Sequence, residues 1–148
     1  IDINEYISEM YDVHNIITHS FTLMDNHFHW LCSPKASSDI ENINQMFELI
    51  NVSFRLYGIH DVFDDKTLTP IKNIKYYTSA YKYIYRNPVN AGVTRKVEDY
   101  PYSTLRQLMG NHHTRTKVFD QMNFIYDSCR VLNWLNSPSD VMEQQFIN

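Results

Sequence analysis

Two short apolar stretches, parted by two polar residues, constrain this chain more than any other feature. "IITHSFTLM" (16–24) and "HFHWLCS" (27–33) read as β-strands, and Asp25-Asn26 between them suits a two-residue hairpin turn. Closing the hairpin there sets Leu23 opposite Phe28 and Phe21 opposite Trp30, which makes one side apolar. Thr22 then faces His29 and Met24 faces His27, with Ser20 and Thr18 farther along the same side. A slip of one residue would exchange the two faces, so the pattern selects its own register.

Helical patterns flank the hairpin. Ile3, Tyr6, Ile7 and Met10 recur at helical spacing over residues 2–13. Ser38-x-x-Glu41 reads as a capping box opening a helix to about Tyr57, closed by Gly58, with Ile43, Met46, Phe47, Ile50, Phe54 and Tyr57 as its stripe. "DVFDDKTLTPIKN" is a turn-rich connection. A tyrosine-rich helix then starts near Ile74 and is expected to end at about Asn87, because the residue before a proline avoids helical geometry. "PVNAGVTRKVEDYPYSTL" reads as a loop into a short helix near 103–109, and a last helix is expected over about 118–135. No internal repeat or low-complexity tract is present.

A length of 148 residues, 43% of them hydrophobic, suits one domain with a real core. No apolar run approaches the length of a membrane span, and no segment resembles a signal peptide. The chain begins at Ile1, and a piece of a longer protein is expected. Cys32 and Cys129 lie far apart without metal-type spacing; Cys32 reads as a buried thiol, and a reducing, cytoplasmic setting is expected.

The net charge of −4 hides an asymmetry. Residues 1–65 carry eleven acids against Lys35 and Arg55, whereas residues 66–96 carry no acid and seven bases: Lys66, Lys72, Lys75, Lys82, Arg86, Arg95 and Lys96. Such a block suits either a surface that tracks phosphates or a solvated helix face.

Residues i and i+2 of a strand point the same way, so His27 and His29 present two imidazoles together while Phe28 points into the core. That is a metal-pair geometry, and also one that two hydrogen-bonded surface histidines would show. Tyr83 and Asn87, four apart on a helix, share a face. Tyr81 and Tyr85 lie about 200° round the helix from Tyr83, so the three cannot serve one site. With 11 tyrosines in the chain, most must be packing residues.

Together, "MDNHFH" (24–29), "YIYRNPVNAG" (83–92) and "EDYPYSTL" (98–105) resemble the single-tyrosine HUH transposases, and most closely the REP-associated tyrosine transposases. The three blocks stand in that family's order, and the resemblance covers roughly residues 10–110. It implies a ferredoxin-like or RRM-like α+β fold, an antiparallel sheet with helices packed on one side plus C-terminal helices. The transposase domain would span 1–110, with 111–148 a helical extension of it. It also implies Tyr83 as nucleophile and His27, His29 and Asn87 as ligands of Mg²⁺ or Mn²⁺. The DNA-binding residues would be Lys72, Lys75, Lys82, Arg86, Arg95 and Lys96. The implied activity is cleavage and transfer of single-stranded DNA beside an imperfect hairpin through a 5′-phosphotyrosine, by a monomer or homodimer. The family's N-terminal strand has no counterpart here, and its relatives in insertion sequences carry glutamine where Asn87 stands.

Three other readings share these residues. One is a domesticated relative that binds hairpin DNA without cutting. Another is a metal-dependent phosphoesterase in which water attacks, and the third is an α+β domain whose histidines are merely hydrogen-bonded.

Overall fold

The computed structural model describes Ser8 and residues 12–56, 67–111 and 116–138. The helix expected over 2–13 lies almost wholly outside these residues, as do Lys66, Tyr57 and Gly58.

Strands β1 (Ile16–Leu23) and β2 (Phe28–Pro34) form the expected antiparallel hairpin. The Met24 amide donates to the His27 carbonyl at 2.8 Å, closing the turn over Asp25 and Asn26. Phe21 pairs with Trp30, Thr22 with His29 and Leu23 with Phe28, the register read from the sequence. Beyond that the pairing shifts: Ser20 opposes Leu31, but Thr18 opposes Cys32, so His19 is an extra residue. One inserted residue reverses the alternation for everything before it. Thr18 therefore leaves the histidine side, where it was expected, and accepts a 3.1 Å hydrogen bond from Trp30 Nε1. His19 takes its place, against Tyr77.

The free edge of β1 is continued by irregular chain. Thr22 bridges to Ser103 and Thr18 to Val118, and the amides of Thr104 and Phe119 donate to Phe21 and Thr18. Residues 102–104, within the stretch that reads as a loop, thus pair with the outer edge of β1.

Helix α1 (Ile40–Leu56) follows a 3₁₀ turn at Ser37–Asp39. The cap falls two residues earlier than expected, on the 3₁₀ turn, where Asp39 accepts from the Ala36 amide at 3.0 Å in place of the Ser38/Glu41 pair. Ile43, Met46 and Phe47 pack with Ile16, Phe28, Trp30 and Cys32 on one face of the hairpin. Helix α2 (Ile74–Asn90) covers the other face, burying Ala80, Tyr81, Ile84 and Tyr85 against Leu31. The α+β class is as expected, but helices lie against both faces of the hairpin rather than on one side.

Asn73 caps α2 by accepting from the Tyr76 amide. The helix runs three residues past Asn87, through Pro88. A proline in the last turn removes only one helical hydrogen bond, and Pro88 is itself buried. The exit is left-handed, with Gly92 at φ 72° and its amide on the Val89 carbonyl.

Helix α3 (Leu105–Leu108) is short, as expected. Helix α4 spans only Ser128–Asn136 of the anticipated 118–135. Asp120 accounts for the difference, since its carboxylate accepts from the Phe124 and Ile125 amides and so draws them out of a helical ladder. Asp127 then caps α4 through the Arg130 amide. Phe124, Val131 and Leu135 pack into the same core as Leu31 and Tyr81. Among the described residues no helix is long and apolar enough to cross a membrane.

Candidate functional site

His27 leaves the hairpin turn exposed, and His29 follows two residues later on the same face. Between them Phe28 lies against Phe47 and Phe21 on the opposite side, with ring centroids 5.7 and 5.6 Å away, anchoring the strand. The two imidazoles are 5.0 Å apart, centroid to centroid. Helix α2 brings Tyr83 edge-on to His29 at 5.1 Å, and Asn87 Oδ1 to within 3.4 Å of His27 Nε2. Tyr83 and Asn87 are also hydrogen-bonded to each other across one helical turn. Four side chains from two distant segments therefore meet in one place.

His27 Nδ1 lies 2.7 Å from Asn26 Oδ1, an oxygen that only accepts, so the ring proton sits on Nδ1. The Nε2 lone pair then faces the side-chain amide of Asn87 at 3.4 Å. Burial, and secondarily the neighbouring His27, hold the pKa of His29 down to about 4. His29 is thus neutral at physiological pH, with a ring lone pair free to donate. Two imidazoles and an amide oxygen suit a divalent cation of intermediate hardness. No third His, Cys, Asp or Glu joins them among the described residues.

Burial raises the pKa of Tyr83, and its hydrogen bond with Asn87 works against that rise. The sequence separated Tyr83 from its neighbours by helical angle, and burial separates them the same way. Tyr81 and Tyr85 are 0% and 1% exposed, while Tyr83 is half-buried. Desolvation pushes the hydroxyls of both Tyr81 and Tyr85 up from the ordinary tyrosine value. Tyr77 is occupied elsewhere, with its hydroxyl 3.1 Å from His19 Nδ1. His19 Nε2 is in turn 2.8 Å from Ser33 Oγ.

The basic residues divide. Lys72, Lys75, Arg95 and Lys96 are exposed, the first two at the start of α2 and the others just beyond its end, with Lys96 3.9 Å from Glu98. A 17-residue helix is about 25 Å long, so these cations flank the site rather than line one patch. Lys82 is turned inward, contrary to its expected place on the DNA surface. It is 1% exposed, donates to Ser137 Oγ and the Pro138 carbonyl, and sits 5.6 Å over the Trp134 ring. Arg86 donates to the Leu135 and Ser137 carbonyls. Cations at a helix C-terminus meet unsatisfied carbonyls and the negative end of its dipole, which is why α4 holds both.

Asn26, which orients His27, was passed over in the sequence, although it lies inside the "MDNHFH" block and amides beside a histidine commonly set its tautomer. The His19 cluster carried no such signal, because it depends on the bulge.

The fold and site together define an α+β protein with a strand-borne histidine pair set against a tyrosine on a covering helix. No protein-family model matches the chain, and no curated protein sequence matches it. A solved structure of a REP-associated tyrosine transposase bound to a REP hairpin is similar, with a TM-score of 0.55 at 20% identity over 80% of this chain and 72% of that one. At that identity the likeness is one of fold: the chain shares its α+β architecture with that protein.

Proposed function

We propose that this protein is a metal-dependent nuclease and strand transferase that cuts single-stranded DNA beside a hairpin. The observation that carries the reading is the convergence of His27, His29, Tyr83 and Asn87 on one solvent-accessible spot. The fold it shares with a transposase bound to a REP hairpin supports DNA hairpins as its partner.

The chemistry follows from the groups present. A tyrosine hydroxyl near pH 7 is a weak nucleophile, so its attack needs help on both sides of the reaction. Tyr83 Oη attacks the scissile phosphorus, a 5′-phosphotyrosine ester forms, and the bond to the 3′ oxygen breaks. The phenolic proton is lost to solvent, and the departing 3′ oxygen takes one up. One phosphodiester bond replaces another, so the step is reversible, as strand transfer requires. The amide of Asn87 steadies the phenolate that develops on Tyr83. His27, His29 and the Asn87 oxygen would hold Mg²⁺ or Mn²⁺, which supplies Lewis-acid stabilisation of charge on the phosphate oxygens. Lys72, Lys75, Arg95 and Lys96 flank the site and would bind the DNA backbone on either side.

A denaturing gel after incubation with single-stranded hairpin DNA and Mn²⁺ tests the reading. A covalent protein–DNA band is expected. Released product without an adduct would point to water as the nucleophile, and a shift confined to native gels would point to binding alone.

A further inference from the structure

Tyr83 and Asn87 reach the histidines only if α2 has the right rotation about its own axis. A helical side chain as long as tyrosine carries its hydroxyl roughly 9 Å from that axis, so a roll of 10° moves it by about 1.5 Å. On the site face the rings of Tyr83 and His29 meet edge to edge at 5.1 Å and Asn87 approaches His27 at 3.4 Å.

On the other sides of α2, Lys82 and Arg86 tie it to the end of α4, and Tyr85 ties it to β1. Tyr85, 1% exposed, places its hydroxyl 2.9 Å from Thr104 Oγ1. Thr104 is itself 4% exposed and is tied to the outer edge of β1. Its Oγ1 accepts from the Phe21 amide at 2.9 Å and donates to the Phe21 carbonyl at 3.3 Å, and its own amide donates to that carbonyl at 3.0 Å. With Tyr85 donating to Thr104, the Thr104 hydroxyl accepts from Tyr85 and the Phe21 amide and donates to the Phe21 carbonyl. Phe21 pairs directly with Trp30, next to the Thr22–His29 pair. The helix is therefore held on β1 through Tyr85 and meets β2 through Tyr83, on either side of the hairpin.

We propose that Tyr85 and Thr104 are positioning residues that set the roll of α2, and with it the placement of Tyr83 and Asn87 against His27 and His29. The proposal rests on the reading of Tyr83 as nucleophile, and its test is arranged so that the two fail separately. Misplacement of a reacting group by about 1 Å can cost two orders of magnitude in rate, while DNA held at other points binds as before.

Single-turnover adduct formation on a hairpin oligonucleotide with Mn²⁺ should be measured for the wild type, Tyr85→Phe and Thr104→Ser, together with DNA affinity. Tyr85→Phe should be about tenfold to a hundredfold slower with affinity unchanged within twofold, and its remaining adduct should still be on Tyr83. Thr104→Ser keeps the hydroxyl and should lie within twofold of wild type. A Tyr85→Phe rate equal to wild type would overturn the proposal. So would a Thr104→Ser rate down tenfold in a folded protein, which applies even if Tyr85→Phe does not fold. If the wild type forms no adduct, the nucleophile assignment fails by itself, and ring–ring nuclear Overhauser contacts between Tyr83 and His29 read the roll directly. They should weaken in Tyr85→Phe at unchanged helix content; their persistence at full strength would overturn the proposal.

Discussion

The two sides of α2 carry the same residue types and put them to opposite uses. On one side, Tyr83 and Asn87 are partly open, with Tyr83 edge-on to His29 and Asn87 Oδ1 3.4 Å from His27 Nε2. On the other, Tyr81, Lys82 and Tyr85 are sealed within the core or clamped to α4. A tyrosine's role is thus set by its angle around the helix axis, and a lysine in a basic block can be a structural tie. The contrast separates substitutions that should stop chemistry from those that should weaken the fold.

The largest effect should come from the site side. His29→Ala should abolish Mn²⁺-dependent cleavage with little change in thermal midpoint, since the ring faces away from the α1 core, and excess chelator should abolish it in the wild type. Cleavage that persists in chelator would remove the metal from the account. Tyr81→Ala sits on the other side and should cost about 3–5 kcal/mol of stability through the cavity it leaves. A urea titration in which Tyr81→Ala matches wild type would contradict the packing role assigned to the buried side of α2.

Next comes Lys82. Replacing it with alanine should cost roughly 1–3 kcal/mol, because Ser137 Oγ and the Pro138 carbonyl lose their donor. The salt dependence of DNA binding should stay as it was. A lowered salt slope with full stability would return Lys82 to the DNA surface.

The histidines make the contrast visible in pH. His29, at about 4 in the folded state against 6.5 otherwise, and His19, lowered by burial, both stay neutral on folding. The unfolded chain binds the extra protons, so this contribution is fully present above about pH 6.5 and lost as pH falls toward 4. Urea midpoints measured in chelator should drop over that window, and His29→Gln should flatten the drop. An equal drop in His29→Gln would assign the acid sensitivity to other groups.

The smallest effect belongs to the exposed cations. Lys75→Ala should lower the slope of log affinity against log salt by about 0.7 and leave stability alone. An unchanged slope would make Lys75 an ordinary solvated side chain.

The α+β class and the faces that carry His27, His29, Tyr83 and Asn87 were legible in the sequence, whereas several details of the fold around them were not. Strand alternation placed both histidines on one face and helical spacing placed Tyr83 with Asn87, because both periods are short-range consequences of backbone geometry. The bulge at His19 was invisible, since it inserts one residue without altering composition, and it moved Thr18 to the wrong face in the expected register. The shortening of α4 turned on one carboxylate, Asp120, competing for two amides. Lys82 misled because charge predicts exposure only until a helix end offers buried carbonyls to bind.

The central claim is that Tyr83 is the tyrosine that acts. Trapping the protein on single-stranded hairpin DNA with Mn²⁺, digesting both components and mapping the adduct by mass spectrometry tests it most directly. The account predicts a nucleotide on the peptide at Tyr83, and no adduct from Tyr83→Phe although DNA still binds. An adduct on Tyr77, Tyr81 or Tyr85 would contradict it and would take the role assigned to Asn87 with it.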